Sequence, residues 1–387
     1  MKKVLIRGPL LSASGYGEHS RQVLSFLLEK QADGKIEIYT DILPWGITPW
    51  YLDQEDFLVK NSIQLSNKDR PEKYDVSFQI QLPHEWDANL ANYNVGITAG
   101  VETDICSEGW KNIHVAKMDK VIVPSNHTKM CLDGENNESN VFVVPEHYYE
   151  EILEESKIDL NISTKFNFLS IGTITGTNVE NDRKNIFYMV KWFYEAFKND
   201  SSVGLIIKTT QGRETALDKK RTRTLFNNLL KEIGYNGKPK FYLLHGIMSR
   251  KDMTGLYTHP KVKAFISTTR GEGFGLPILE SAVAGLPVIA TNWSAHTEFL
   301  NNGKWIGLDY ELSEIDPSRV DNKIFIKGSK WANVSEHDFK AKIQKVKKSY
   351  QVPKRQAKKL SEKLKQKFSK KSINLAYEEL LSGVLNC

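Results

Sequence analysis

The sequence predicts an α/β protein made of two successive doubly wound parallel-sheet units, and three observations predict it. Short apolar, β-branched runs alternate with amphipathic helical stretches along most of the chain, which is the pattern of strand–helix–strand units. The alternation is interrupted by the turn-rich, acidic PEHYYEEILEESKIDLNISTK and then resumes. At 387 residues the chain also exceeds one ordinary hydrophobic core and fits two domains.

In chain order, VLIRG reads as the first strand, followed by a helix from about His19 to Lys30. The runs IEIYT, YDVSFQI, YNVGITA, KVIVPS and VFVVP supply the remaining strands of the first half. After the acidic interruption come FNFLSIG, a helix from about Asn185 to Lys198, then VGLIIKT, FYLLHG, VKAFIST and PVIAT. The expected boundaries are 1–150 and 163–365, with a C-terminal helix 366–387 completing the first unit and a cleft between the two. Near the C-terminus, Leu360, Leu364, Phe368, Ile373, Tyr377, Leu380 and Leu381 recur on one helical face, so this region packs on something. Pro353 marks a helix start or kink.

Hydrophobic residues make up 40% and charged residues 26%, as in globular proteins. No apolar run approaches the roughly 18 residues of a membrane span. Arg7 interrupts the opening MKKVLIRGPLL, which reads as a strand and not as a secretory leader. Cys106, Cys131 and Cys387 show no paired spacing, which argues against a disulfide scaffold or a cysteine zinc site and suits a cytoplasmic setting. The net charge of +6 is concentrated in the lysine-rich stretch 340–371. That stretch reads either as a solvated helix face or as a patch for an anionic partner, nucleic acid or a membrane surface.

The densest chemistry lies in TRGEGFGLPILE, residues 269–280. A buried strand, VKAFIST, leads into a glycine turn and then a helix opened by Pro277, where the missing N–H costs nothing. The first turn of such a helix presents backbone N–H groups and a positive dipole end to an anion. Gly273 and Gly275 permit close backbone approach, and the carboxylates of Glu272 and Glu280 suit the vicinal hydroxyls of a ribose or hexose. The same stretch also reads as a helix with acidic residues complementing its dipole.

The order strand, EGFGLPILE, small-residue helix SAVAG and GLPVIAT resembles the retaining glycosyltransferases of family 4, whose GT-B fold pairs two Rossmann-like domains across a cleft. The resemblance spans about 60 residues, from FYLLHGIMSRKDMTGLY to Phe299, and rests on the E-x7-E spacing of Glu272 and Glu280. It implies an N-terminal acceptor domain and a C-terminal nucleotide-sugar donor domain. It implies that Glu280 binds the donor ribose, that Glu272 lies near the transferred sugar, and that the backbone at Gly273, Phe274, Gly275 and Leu276 contacts sugar and phosphate. Glu298 occupies the family's acidic position. The family's glycine pair is replaced by Ser294 and Ala295 in NWSAH, which leaves the sugar open.

In SIGTITGTNVENDRKN, Lys184 fits the family's diphosphate-binding lysine, beside Arg183 and Asn185, but the place of the second cation holds Thr173. A departing diphosphate needs its charge neutralised, and cations at an ordinary helix start are disfavoured by the dipole. In GPLLSASGYGEHSRQ, the glycine-rich turn with Ser14, Gly15, Tyr16 and Gly17 matches the family's cleft loop, although two glycines also make a simple tight turn. His84 in QIQLPHEWD fits the place of a group near the reacting sugar, or a structural loop histidine. Glu102 and Thr103 follow a strand end and read as acceptor contacts or loop ties.

The resemblance implies transfer of a hexose from a UDP- or GDP-sugar to an acceptor hydroxyl, with retention and by a front-face route. Glu272, His84 and Lys184 are the expected catalytic residues; no D-x-D motif is present, and neither a metal nor any other cofactor is expected. A nicotinamide oxidoreductase is the rival enzyme class, but SGYGEHS lacks a third glycine and Asp41 is a weak ribose partner. A non-catalytic nucleotide-sugar-binding module is a further alternative. The acceptor stays open. LIRGPLLSASGYGEHSRQ also resembles phage-type glycosyltransferases, some of which decorate hydroxymethylated DNA bases in the host cytoplasm. Saccharide or lipid acceptors, the latter at a membrane surface, remain beside DNA.

Overall fold

The computed structural model describes residues 1–53, 55–133, 139–176 and 178–385; Cys387 and the last two positions of the expected 366–387 helix lie outside them. The chain divides into two compact units. One comprises Met1–Val101, Ile105–His147 and the residues from Lys370 onward, and the other Glu102–Asp104 with Tyr148–Ser369.

The first unit runs β1 (Lys2–Gly8), α1 (Gly15–Ala32), β2 (Ile36–Ile42), α2 (Phe57–Ser66), β3 (Tyr74–Ile80), β4 (Ala91–Ile97), β5 (Lys120–Val123), α3 (Asn126–Asp133) and β6 (Val141–Val143). The strands form a parallel sheet in the order β2-β1-β3-β4-β5-β6. Val4, Ile6, Val76, Phe78, Val95 and Ile122 are almost fully buried, as expected for a parallel sheet covered on both faces. Ser14 caps α1 by accepting the Gly17 N–H at 3.1 Å.

The second unit runs β7 (Phe166–Ile171), α4 (Ile186–Phe197), β8 (Val203–Thr209), α5 (Ala216–Glu232), β9 (Lys240–His245), α6 (Arg250–Thr258), β10 (Val262–Ser267), α7 (Leu276–Val283), β11 (Val288–Thr291), α8 (His296–Leu300) and β12 (Ile306–Leu308). An antiparallel hairpin, β13 (Tyr310–Glu314) with β14 (Lys330–Val334), follows, then α9 (Glu336–Lys348) and α10 (Gln351–Lys367). The sheet order is β12-β11-β10-β7-β8-β9, all parallel. One apolar cluster joins α7, α8 and α10, and another joins α4, α5 and α9.

The apolar stripe near the C-terminus is real but serves two cores. The helix breaks after Lys367, and α11 spans Lys370–Leu385. Leu360, Leu364 and Phe368 pack with the second unit, whereas Ile373, Tyr377 and Leu381 pack with the first. Pro353 sits in the first turn of α10, where no intrahelical N–H is lost. The lysine-rich stretch is therefore two helices and the start of a third. Several of its lysines are spoken for: Lys340 pairs with Glu195 and Glu336, Lys342 with Asp338, Lys347 with Asp200, and Lys370 with Glu29. No helix among the described residues is long and apolar enough to cross a membrane.

Candidate active site

In the second unit the chain builds outward from β7 through β8 to β9 on one side, and from β10 through β11 to β12 on the other. The strand order reverses between β7 and β10, so the loops leaving their carboxyl ends form the crevice where open α/β sheets bind ligands. Those two loops, 172–185 and 268–275, carry Thr173, Arg183, Lys184, Glu272, Gly273 and Gly275.

The loop before α4 is organised by Asp182. Its carboxylate accepts the Thr175 N–H and hydroxyl, each at 3.0 Å, and the Ile186 N–H at 2.8 Å, capping the helix. Asn185 takes a left-handed conformation (φ 55°) to make the turn. The two cations between Asp182 and Asn185 turn toward the β10 loop. Lys184 Nζ meets Glu272 Oε1 at 2.5 Å, and Arg183 Nη1 donates to Glu272 Oε2 at 3.2 Å and to the Gly271 carbonyl at 2.6 Å. Arg183 Nε also pairs with Glu102 Oε2 at 2.7 Å. Glu102 thus joins the cluster although it lies far away in sequence. Its segment is fastened by Lys330, whose N–H donates to Asp104 Oδ1 at 2.6 Å, while Asp104 N–H donates to the Lys330 carbonyl at 3.0 Å.

Burial alone would raise the Glu272 carboxyl, but the Lys184 ammonium and the Arg183 guanidinium overcome it and hold the pKa at about 2. The Glu102 carboxyl is raised, chiefly by burial against the attraction of Arg183. Burial lowers Lys184, with the nearby Arg183 adding and Glu272 opposing.

Helix α7 begins one residue earlier than the sequence implied: Gly275 is its cap, Leu276 its first residue and Pro277 its second. Gly275 has φ 101°, a conformation that strains any side chain. Phe274 and Leu276 point into the core, where Phe274 packs on Phe299 at 5.4 Å, so only their backbone is available to a ligand. Ser294, at one of the family's glycine positions, takes the glycine-like φ of 76°, and its hydroxyl accepts the Glu272 N–H at 3.0 Å. Glu280 lies with a different set of partners: its Oε2 accepts the buried Tyr257 hydroxyl at 2.8 Å, and its charge is felt at Tyr149. Thr173 is exposed.

The remaining candidates, apart from Thr103, which lies beside Glu102 in the second unit, belong to the first unit. Its sheet order reverses between β1 and β3; Gly15, Tyr16 and Gly17 open α1 just after β1, and His84 lies in the short turn after β3. A Cβ on Gly17 would fall 2.0 Å from the Ser12 carbonyl oxygen, so this glycine serves the helix–loop packing, whereas one on Gly15 meets nothing. The Tyr16 hydroxyl hydrogen-bonds with Thr98 Oγ1 at 2.8 Å and accepts the Ala99 N–H at 3.1 Å, and its ring stacks on Trp45 at 4.1 Å. His84 Nδ1 accepts the Trp110 indole N–H at 3.2 Å. An indole nitrogen only donates, so neutral His84 carries its proton on Nε2 and presents a donor. Thr103 is buried.

Sequence reasoning missed Tyr257, Tyr149, Asp182 and the φ of Ser294. Asp182 had a legible signal, an acid just ahead of a helix start. The tyrosines had none, because the fold alone brings them to Glu280. Among the described residues no three His, Cys, Asp or Glu side chains converge as a metal site.

Residues 181–366, from Asn181 to Gln366, match the family described as Glycosyl transferases group 1. The structure is similar to that of HepE from Anabaena in complex with UDP-glucose, at 14% identity and TM-score 0.64, covering 99% of this chain and 100% of that one. It is similar also to sucrose-phosphate synthase from Thermosynechococcus elongatus, at 13% identity and TM-score 0.65, covering 99% of each chain. No curated protein matches the sequence. The architecture is GT-B, two Rossmann-like units each built on a parallel sheet. With the matched segment running from the Asp182 loop to α10, the class of protein is an enzyme of the glycosyltransferase type.

Proposed function

We propose that this chain is a retaining glycosyltransferase of the family 4 type that moves a hexose from a nucleoside-diphosphate sugar to an acceptor hydroxyl. The observation that carries the reading is the cluster of buried Arg183 and Glu272 with the partly buried Glu102 and Lys184 at the reversal of the second sheet, beside the N-terminus of α7. The UDP-glucose bound to HepE favours a UDP-hexose over a GDP-hexose.

In this reading the second unit holds the donor. Glu280, fixed by Tyr257, takes the ribose hydroxyls. Lys184 and the first turn of α7 take the diphosphate. A carboxyl held at about 2 is a poor proton acceptor at neutral pH, so Glu272 acts by aligning Lys184 and Arg183 beneath the transferred sugar. The first unit takes the acceptor, with His84 donating to it from Nε2 and Tyr16 and Gly15 along its path; Glu102 and Thr103, which belong to the second unit, are the further acceptor-side candidates. The acceptor oxygen bonds to the anomeric carbon as the carbon–phosphate-oxygen bond breaks on the same face. The acceptor proton passes to the leaving diphosphate, and the protein supplies position and positive charge. No metal enters this scheme.

Titration calorimetry with UDP-glucose and GDP-glucose tests the donor assignment. Glu280→Ala is expected to weaken nucleotide-sugar binding by at least about a hundredfold, the scale of a lost bidentate, charge-assisted contact. Unchanged affinity sinks the ribose role. The favoured acceptor is a saccharide or lipid hydroxyl. Hydroxymethylated DNA is the second reading, resting on the phage-type opening and on residues 340–371, but internal pairing of Lys340, Lys342 and Lys347 takes support from it. Mass spectrometry of sugar, lipid and hydroxymethylcytosine-DNA acceptors separates the classes.

A further inference from the structure

The cluster at the sheet reversal is electrically balanced, with two carboxylates against Arg183 and Lys184. Arg183 is committed to Glu102, Glu272 and the Gly271 carbonyl. A diphosphate arriving here brings negative charge that a neutral quartet does not offset, and Thr173 offers no cation from the β7 side. Two further arginines stand close by in the same unit. Arg270 is spent: it donates to Asn333 Oδ1 at 2.5 Å and to the Val179 carbonyl at 3.3 Å, and its guanidinium lies 5.0 Å from the centre of the Trp331 ring.

Arg319 is different. It ends the turn Pro317–Arg319 between β13 and β14, and no hydrogen bond from its guanidinium is found among the described residues. Its Nε is buried without a partner, and the guanidinium lies over the Phe325 ring at 4.1 Å. Stacking on an aromatic face fixes the plane of the fork and leaves its N–H edges for paired anionic oxygens, as on a phosphate. The turn is fastened to the loop that carries Arg183 and Lys184, because Asn181 Nδ2 donates to the Ser318 hydroxyl at 2.9 Å. Arg319 also senses the cluster electrically: it is attracted by Glu102 and repelled by Arg183, while its own proton affinity is lowered first by burial.

We propose that Arg319, carried by the β13–β14 hairpin, is the additional cation that grips the diphosphate of the donor. The inference rests on the donor reading above and names one more group of that site. It places the charge expected after β7 on an element more than a hundred residues further along the chain.

The test is titration calorimetry on the full chain with UDP against uridine, GDP against guanosine, and inorganic pyrophosphate. Arg319→Ala is expected to weaken the diphosphates and pyrophosphate by at least about tenfold, as for a lost charge-assisted contact, with nucleoside affinity unchanged. Arg319→Lys, which keeps the charge but loses the fork, should fall between. An Arg319→Ala protein that binds diphosphates like the wild type overturns the inference, as does an equal loss for nucleosides, which marks a structural role. If Lys184→Ala loses diphosphate binding while Arg319→Ala keeps it, only this inference fails. A wild type that binds none of the probes removes the donor reading together with it.

Discussion

Both units rest on a parallel six-stranded sheet whose strand order reverses once, yet the side chains at the two reversals differ in kind. In the first unit the loops bring neutral donors and acceptors: the Tyr16 hydroxyl with Thr98, and His84 held by Trp110. In the second they bring one carboxylate and two cations, joined by Glu102 from a distant segment and largely removed from water. The sheet supplies a place for a ligand, and the loops decide its chemistry. In the proposed reading a diphosphate takes the charged edge and an uncharged hydroxyl acceptor the neutral one.

The largest expected effect falls on stability in the second unit. Glu272→Ala leaves Lys184 without its carboxylate in a buried setting and should cost about 3–5 kcal/mol in urea unfolding. A loss below about 1 kcal/mol would show that water screens the cluster far more than its burial implies. On activity, Lys184→Ala should lower kcat by about a hundred- to a thousandfold, the scale of a removed transition-state charge partner. His84→Phe at the neutral edge should cost less, about tenfold to a hundredfold. The reverse order in steady-state kinetics would break the comparison.

Smaller effects separate the two glycines of the first unit. Gly17→Ala forces a Cβ against the Ser12 carbonyl and should destabilise by about 1–3 kcal/mol. Gly15→Ala meets open space and should be neutral or slightly stabilising, by up to about 1 kcal/mol, through helix propensity. Thermal unfolding of both variants decides.

Acid should also act on the units in sequence. Burial, with His147 adding, holds His19 near 3 against 6.5 when unfolded. The unfolded chain binds the extra proton between those values, so the first unit loses stability as pH falls from 6.5 toward 3. Glu272 is depressed from 4.5 to about 2, so its contribution is present above 4.5 and lost only as pH falls toward 2. Segment-resolved hydrogen exchange at pH 5 should therefore show protection falling first around α1, and His19→Gln should flatten that dependence.

The alternation of apolar runs made the main strands of both sheets legible, because buried parallel strands must be β-branched and continuous. The hairpin β13–β14 was not legible. Its strands are short, β13 is largely exposed, and β14 buries Trp331, Ala332 and Val334 without strict alternation, so no apolar period marks them. The same divide holds for the site. Lys184, Arg183 and Glu272 stand in loops flanking recognisable strands. Tyr257, the capture of Glu102 by Arg183, and Arg319 depend on contacts between distant segments that local pattern does not encode.

The most direct measurement is nucleoside-diphosphate release from UDP-glucose without an acceptor, compared between wild type and Lys184→Ala by mass spectrometry. The account predicts slow release of UDP and glucose by the wild type and at least about a hundredfold less by the variant. Equal release by both proteins, or none from any nucleotide sugar that the wild type binds, would contradict it.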